Sequence, residues 1–116
     1  VRSSAVFSND EELYAEVEEA SERACEKIWR LPLDKELFPV IESEVADIQN
    51  SAQGSTMGGG AIVAGLFLQE FVEDHSWVHV DIAPVSWESK DIDYSIKGAT
   101  GYGVSLLYET VKVMAD

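Results

Sequence analysis

A single cysteine, Cys25, stands in the chain. An internal disulfide is therefore impossible, and a reducing cytosol is the compartment such a composition suits. Basic residues are scarce: 8 Lys and Arg against 22 Asp and Glu leave a formal charge of −14. That excess of acid argues against nucleic acid and anionic membrane surfaces as partners, since both repel it. It is compatible with a cationic partner, a metal-dependent site elsewhere or a salt-adapted source, and charge alone does not choose among these. The longest apolar run, from Gly58 to Leu68, is interrupted by glycine and too short to span a bilayer, and no signal peptide opens the chain. Three catalytic signatures are missing. The chain has no Gly-x-Ser-x-Gly elbow, no Gly-Lys-Ser/Thr phosphate loop and no His-Glu-x-x-His zinc helix.

What remains is enough for one domain with a core: 116 residues, 46% of them hydrophobic, which is not the composition of a disordered chain. The chain begins at Val1 rather than methionine, as a processed chain or a segment of a longer one does. Ser8 with Glu11 reads as a capping box opening an amphipathic helix over about Asn9 to Trp29. Leu13, Val17, Ala20, Ala24 and Ile28 form its apolar face, and Glu12, Glu16, Glu19, Arg23 and Glu26 a solvated one. Cys25 reads as a small hydrophobe on that helix. Pro32 ends it, and Asp34 to Ile41 reads as a short helical turn broken by Pro39. Glu44 to Gln49 is a strand candidate, and Asn50 to Met57 a polar loop.

Gly60 to Val72 is apolar nearly all round and is expected to be a buried helix, with Gly58-Gly59-Gly60 allowing close packing at its start. It turns at Glu73-Asp74-His75-Ser76 into Trp77 to Ala83. There Val78, Val80 and Ile82 alternate with Trp77, His79 and Asp81, the period of a strand. Pro84 to Lys97 reads as a long irregular connection. Thr100-Gly101-Tyr102-Gly103 starts a last helix carrying Val104, Leu107, Val111 and Met114. The order is α/β with only two visible strands, few for a free-standing sheet, so the sheet reads as partial. His75 and His79 are four apart but span a turn and a strand, which is not a zinc pair's geometry. His79 and Asp81 lie on one strand face about 6–7 Å apart and read as a satisfied structural pair. The residues by themselves thus offer no catalytic and no metal-binding constellation.

Six stretches, in order and spacing, carry a resemblance. They are Val6-Phe7-Ser8-Asn9-Asp10, Trp29-Arg30-Leu31-Pro32-Leu33, Ala46-Asp47-Ile48-Gln49-Asn50, Gly59-Gly60-Ala61-Ile62 with Phe67 to Val72, Trp77 to Ala83, and Lys97 to Val104. Together the chain resembles the C-terminal part of the catalytic domain of a leucyl (cytosol) aminopeptidase, over essentially its whole length. The resemblance implies a mixed sheet with flanking helices, residues 1–116 being the C-terminal segment of a single metallo-aminopeptidase catalytic domain. It implies a cytoplasmic homo-hexamer that hydrolyses N-terminal residues from peptides using two divalent metals: zinc, manganese or magnesium. The family's Lys/Asp and Asn-Thr-Asp-Ala-Glu-Gly-Arg motifs, which hold the metals and a catalytic arginine, do not occur here and are expected before Val1. This segment is therefore expected to be inactive alone, to bind no metal, and to pack on the remainder of the domain. Ala83 matches a residue lining the pocket for the substrate's first side chain, and Ser86 falls on a second pocket position. Where the family has glycine after Asp-Ile-Ala, this chain has Pro84 or lacks one residue. The alternative, of a different class, is a non-catalytic α/β module that binds a partner through an unfilled sheet edge.

Overall fold

The computed structural model describes residues 2–50 and 59–116. Strand β1 (Ser4–Ser8), helix α1 (Glu11–Ala24) and strand β2 (Ile28–Arg30) form a βαβ unit, with β1 and β2 parallel and Val6 opposite Arg30. A 3₁₀ segment (Lys35–Ile41), helix α2 (Gly60–Gln69) and strand β3 (Val78–Asp81) follow. β3 runs antiparallel to β1, pairing Val80 with Val6 and His79 with Phe7. The sheet order is β2-β1-β3. Strands β4 (Trp87–Glu88) and β5 (Gly98–Ala99) make a separate antiparallel pair, and helix α3 (Val104–Ala115) ends the chain. The mixed α/β character matches the expectation, although two strands of the main sheet, β1 and β2, were not legible.

Alternation along β1 and β3 divides the core in two. Val78 and Val80 point to the side of α1 and α3, where Val17, Ala20 and Leu106 are buried. Phe7 and His79 point to the other side and stack with centroids 5.8 Å apart. Helix α2 lies on that second side. A Cβ on Gly65 would come within 3.2 Å of the Phe7 ring and 3.3 Å of Leu33, so glycine lets the helix backbone approach the sheet. Ile41, Val63 and Leu66 are buried there against Leu33, Leu37 and Phe38.

Several expectations are corrected. Helix α1 starts later and ends earlier than Asn9–Trp29. Asp10 is its N-cap, accepting the Leu13 N–H at 3.0 Å, while Ser8 belongs to β1 and its hydroxyl donates to Trp77 O. Cys25 turns left-handed (φ 55°) and closes the helix, and it is exposed rather than packed. This frees Ile28 to Arg30 to form β2. Glu26 is not on a solvated face. Its Oε2 accepts the N–H groups of Gly103 and Leu106, both at 3.0 Å, capping α3, whose own N-cap Gly103 has no side chain to do so. Pro39 sits inside the 3₁₀ segment without breaking it. Glu44 to Gln49 forms bends and no strand, and Val45 there is 97% exposed. The 84–97 connection contains β4.

Helix α2 is shorter than Gly60–Val72 and only half covered: Val63, Gly65 and Leu66 are buried, while Leu68 and the following Phe71 are exposed. Close approach occurs at Gly65 and, at the helix start, at Gly59, where a Cβ would come within 3.1 Å of Leu37 and φ is a left-handed 78°; Gly60 has open space around it. Gly58 and the loop from Ser51 to Met57 lie outside the described residues. On α3 the visible apolar stripe faces outward. Val104, Leu107, Tyr108, Val111 and Met114 are all more than half exposed, and the helix packs inward through Leu106 and Val113.

His79 is structural in character. Its ring is stacked between Phe7 and Trp77, and it shares no hydrogen bond with Asp81, whose Oδ1 accepts the Ala83 N–H instead. Burial holds the His79 pKa below its ordinary 6.5, against a smaller upward pull from the Asp81 charge. His75 is exposed in the turn, away from that stack.

Two predictions follow from this packing. Leu66, 2% exposed, should cost roughly 2–5 kcal/mol when changed to alanine. Denaturant melting that finds a loss under about half a kcal/mol would remove Leu66 from the core. The depressed His79 pKa makes the unfolded state the better proton acceptor. Its stabilising share is thus complete above pH 6.5 and lost as the pH falls through the folded-state value. His79→Phe, which preserves a stacked ring, should flatten that acid limb in pH-dependent melting. An unchanged limb would assign the slope to other groups.

Candidate substrate-pocket wall

The residues expected to line a pocket sit just past the C-terminal end of β3. Asp81, the last residue of the strand, accepts the Ala83 N–H at 3.0 Å and turns the chain. The Val85 N–H then donates to Ile82 O at 3.0 Å. This Asx turn has a local cause, since a short acidic side chain can hold the amide two residues on. Ala83 and Pro84 are exposed, Val85 is buried and Ser86 is half-buried. The Ser86 hydroxyl reaches toward Ala83 O at 3.5 Å, a weak contact that nevertheless puts the two expected pocket residues side by side. Pro84 takes its place in this turn without a cis peptide bond.

The far end of the turn is held by a residue that sequence reasoning missed. Thr100 donates its hydroxyl to Val85 O at 2.7 Å and its backbone N–H to Ser86 O at 3.0 Å. That hydroxyl in turn accepts the Tyr102 N–H at 3.1 Å. The Tyr102 hydroxyl donates to Lys27 O at 2.6 Å and so accepts from Ser4 Oγ at 2.8 Å; Ser4 is fully buried in β1. Only the short spacing from Thr100 to Tyr102 was visible beforehand, as the start of a helix.

An apolar groove runs beside the same strand, between β3 and α3, with Val78, Val80, Ile82, Val104 and Leu107 along it. β3 is an edge of the sheet among the described residues. The groove carries no charged side chain.

A metal centre does not fit the described residues. Among them no three His, Cys, Asp or Glu side chains come together to hold an ion. Glu11 is taken by a bidentate pair with Arg30 at 2.6 and 2.7 Å, Glu26 by the α3 cap, and Glu88, which is buried, by Arg2. Among the described residues no helix is long and apolar enough to cross a membrane.

The model of the cytosol aminopeptidase family's catalytic domain matches residues 1–108. A probable cytosol aminopeptidase of Synechococcus sp. (strain JA-3-3Ab) is 48% identical over 106 residues, covering 91% of this chain and 20% of that protein. One from Alkaliphilus metalliredigens (strain QYMF) is 45% identical over 113 residues, covering 95% of this chain and 21% of that protein. Among solved structures, the bottromycin maturation enzyme BotP in complex with Mn superposes with a TM-score of 0.90 at 36% identity, over 99% of this chain and 25% of that one. A tomato leucine aminopeptidase mutant gives 0.79 at 38% identity, over 97% of this chain and 21% of that one. The chain spans about a fifth of the length of the curated relatives it matches. These 116 residues belong to the cytosol aminopeptidase family, as part of its catalytic domain.

Proposed function

We propose that this chain is the C-terminal segment of a single catalytic domain in a metallo-aminopeptidase that releases N-terminal residues from peptides in the cytoplasm. The observation that carries the reading is the family match over residues 1–108 together with 48% identity to a probable cytosol aminopeptidase. In this reading Ala83 and Ser86 form part of the wall of the pocket for the substrate's first side chain. The turn after β3 supports it by holding the two residues adjacent and leaving Ala83 open to solvent. The remainder of the domain packs over the groove between β3 and α3 and over the outward stripe of α3, and the whole assembles as a homo-hexamer.

Catalysis in the parent enzyme uses two divalent ions, zinc, manganese or magnesium, held by residues outside this segment. Such a pair supplies an activated water and a grip on the substrate amine and carbonyl. The segment's own work is to present the pocket wall and to complete the fold around it. The alternative, a non-catalytic module binding a partner through the free β3 edge, draws on the same uncovered groove. The native subunit mass separates the two: an aminopeptidase subunit is several times heavier than 12.8 kDa.

The test pairs the full-length enzyme with the 116-residue chain. The full-length enzyme should hydrolyse a leucyl amide, lose that activity to a chelator and regain it with manganese or zinc. The chain alone should neither release leucine nor take up two ions in calorimetry. Micromolar two-site binding with metal-dependent hydrolysis by the chain alone would mean that carboxylates read here as structural form the active site.

A further inference from the structure

We infer that Thr100 is a positioning residue for the pocket wall and thereby sets which N-terminal side chains the enzyme accepts. The inference rests on the proposed role of Ala83 and Ser86 and extends it to a residue that touches neither substrate nor metal in that reading. Three observations carry it.

The first is that the wall is held at its ends by side-chain bonds, just ahead of the β4–β5 pairing of Trp87 with Ala99. Its strand-proximal end is fixed by Asp81 on the Ala83 amide. Its far end is fixed by Thr100, whose hydroxyl and amide hold two successive carbonyls, those of Val85 and Ser86. The second is that Thr100 is itself tied to the centre of the sheet. Tyr102 donates its amide to the Thr100 hydroxyl and uses its own hydroxyl to join Lys27 O to the buried Ser4. The wall is thereby referred to β1 through a continuous run of hydrogen bonds. The third is that packing holds this region at one point only: Val85 is buried, while Ala83 and Pro84 are exposed. A cavity of about 260 Å³ borders Val85, Thr100, Tyr102, Lys27 and Glu88, but neither Ala83 nor Ser86. A segment beside such an open pocket can shift toward it once its directional bonds are cut.

Thr100→Val keeps the shape of the side chain and deletes the hydroxyl. Val85 O loses its donor and Tyr102 N–H its acceptor, so the wall relaxes toward the cavity. Selectivity between side chains in a pocket depends on placements finer than an ångström. The variant should therefore raise KM for a leucyl amide relative to an alanyl amide by about three- to tenfold, with kcat changed by less than about twofold. Thr100→Ser, which restores the hydroxyl and removes only the methyl, should return the ratio to that of the parent.

The experiment measures kcat and KM for leucyl and alanyl amides on the full-length enzyme carrying this segment. The ratio of kcat/KM between the two substrates cancels any difference in folded fraction. If Thr100→Val does not fold, Tyr102→Phe, which cuts the tie to β1 while keeping the Thr100 bonds, should move the same ratio in the same direction. Ala83→Val provides the separate check on the pocket itself, because a larger wall residue should lower the leucyl preference directly. An altered ratio in Ala83→Val with an unaltered one in Thr100→Val, or in its substitute Tyr102→Phe, overturns the positioning role and leaves the pocket reading standing. An unaltered ratio in Ala83→Val overturns both. Equal losses on both substrates, or a Thr100→Ser variant no better than Thr100→Val, would reduce Thr100 to a general structural residue. No hydrolysis of either substrate by the full-length parent would overturn the aminopeptidase reading itself.

Discussion

Strand β1 is paired on both edges and covered on both faces, and the rest of the structure is arranged to satisfy it. Its Ser4, Val6 and Phe7 are wholly removed from solvent. Backbone groups buried to that degree must all find partners. β2 supplies them in parallel on one side and β3 in antiparallel on the other. The buried hydroxyls at its two ends are satisfied by long-range partners as well, Ser4 by Tyr102 and Ser8 by the Trp77 carbonyl. The first of these bonds joins β1 to the segment that enters α3, and the second joins it to the turn that enters β3. A five-residue strand near the start of the chain thus fixes the position of elements seventy and a hundred residues later.

The elements that could be read in advance are those whose pattern is local. β3 alternates strictly, and the structure divides its side chains between the two cores as that alternation requires. α1 and α3 carry helical spacing over three turns each. The 3₁₀ segment reads as a short helical turn and is one, although Pro39 lies within it and does not break it. The errors have equally physical causes. Ile28 falls in phase with Val17, Ala20 and Ala24, so β2 was absorbed into the helix before it. The true end is the left-handed Cys25, a position glycine usually occupies and where cysteine gives no signal. Glu44 to Gln49 has a plausible strand composition but finds no neighbouring strand to pair with among the described residues, and a strand without a partner is not stable.

The candidate site was legible in a different sense. Nothing in the spacing of Ala83 and Ser86 marks them as functional; they were singled out only because Trp77 to Ala83 resembles a family motif. What the structure adds is the reason the motif's acid is there. Asp81 is not half of a catalytic pair with His79 but the acceptor that bends the chain at Ala83. Thr100 could be read in advance only as part of the stretch that starts the last helix, because its partners, Val85 and Ser86, are fifteen and fourteen residues away across an irregular connection. Glu26 escaped for the same reason: it lies in phase with the acidic face of α1, and only the arrival of α3 turns it into a cap.

The charge of −14 is not spread evenly, and its distribution says which surfaces belong in water. Glu11, Glu12, Glu18, Glu19 and Glu22 are all exposed on α1. Bringing another protein surface against so many carboxylates would require stripping their hydration without cations enough in this chain to compensate. The groove between β3 and α3 carries no ionisable side chain other than Tyr102, and the exposed stripe of α3 from Val104 to Met114 is apolar except for a tyrosine hydroxyl. Covering that surface removes apolar area from water at little electrostatic cost. An apolar face of this extent, flanked by an open strand edge, is unusual on the outside of a finished domain. The relatives are about five times as long as the segment they share with this chain. Acid on α1 and apolar groove on α3 are therefore two halves of one constraint: the α1 face is the costly one to cover, and the β3–α3 face is the one whose covering costs least.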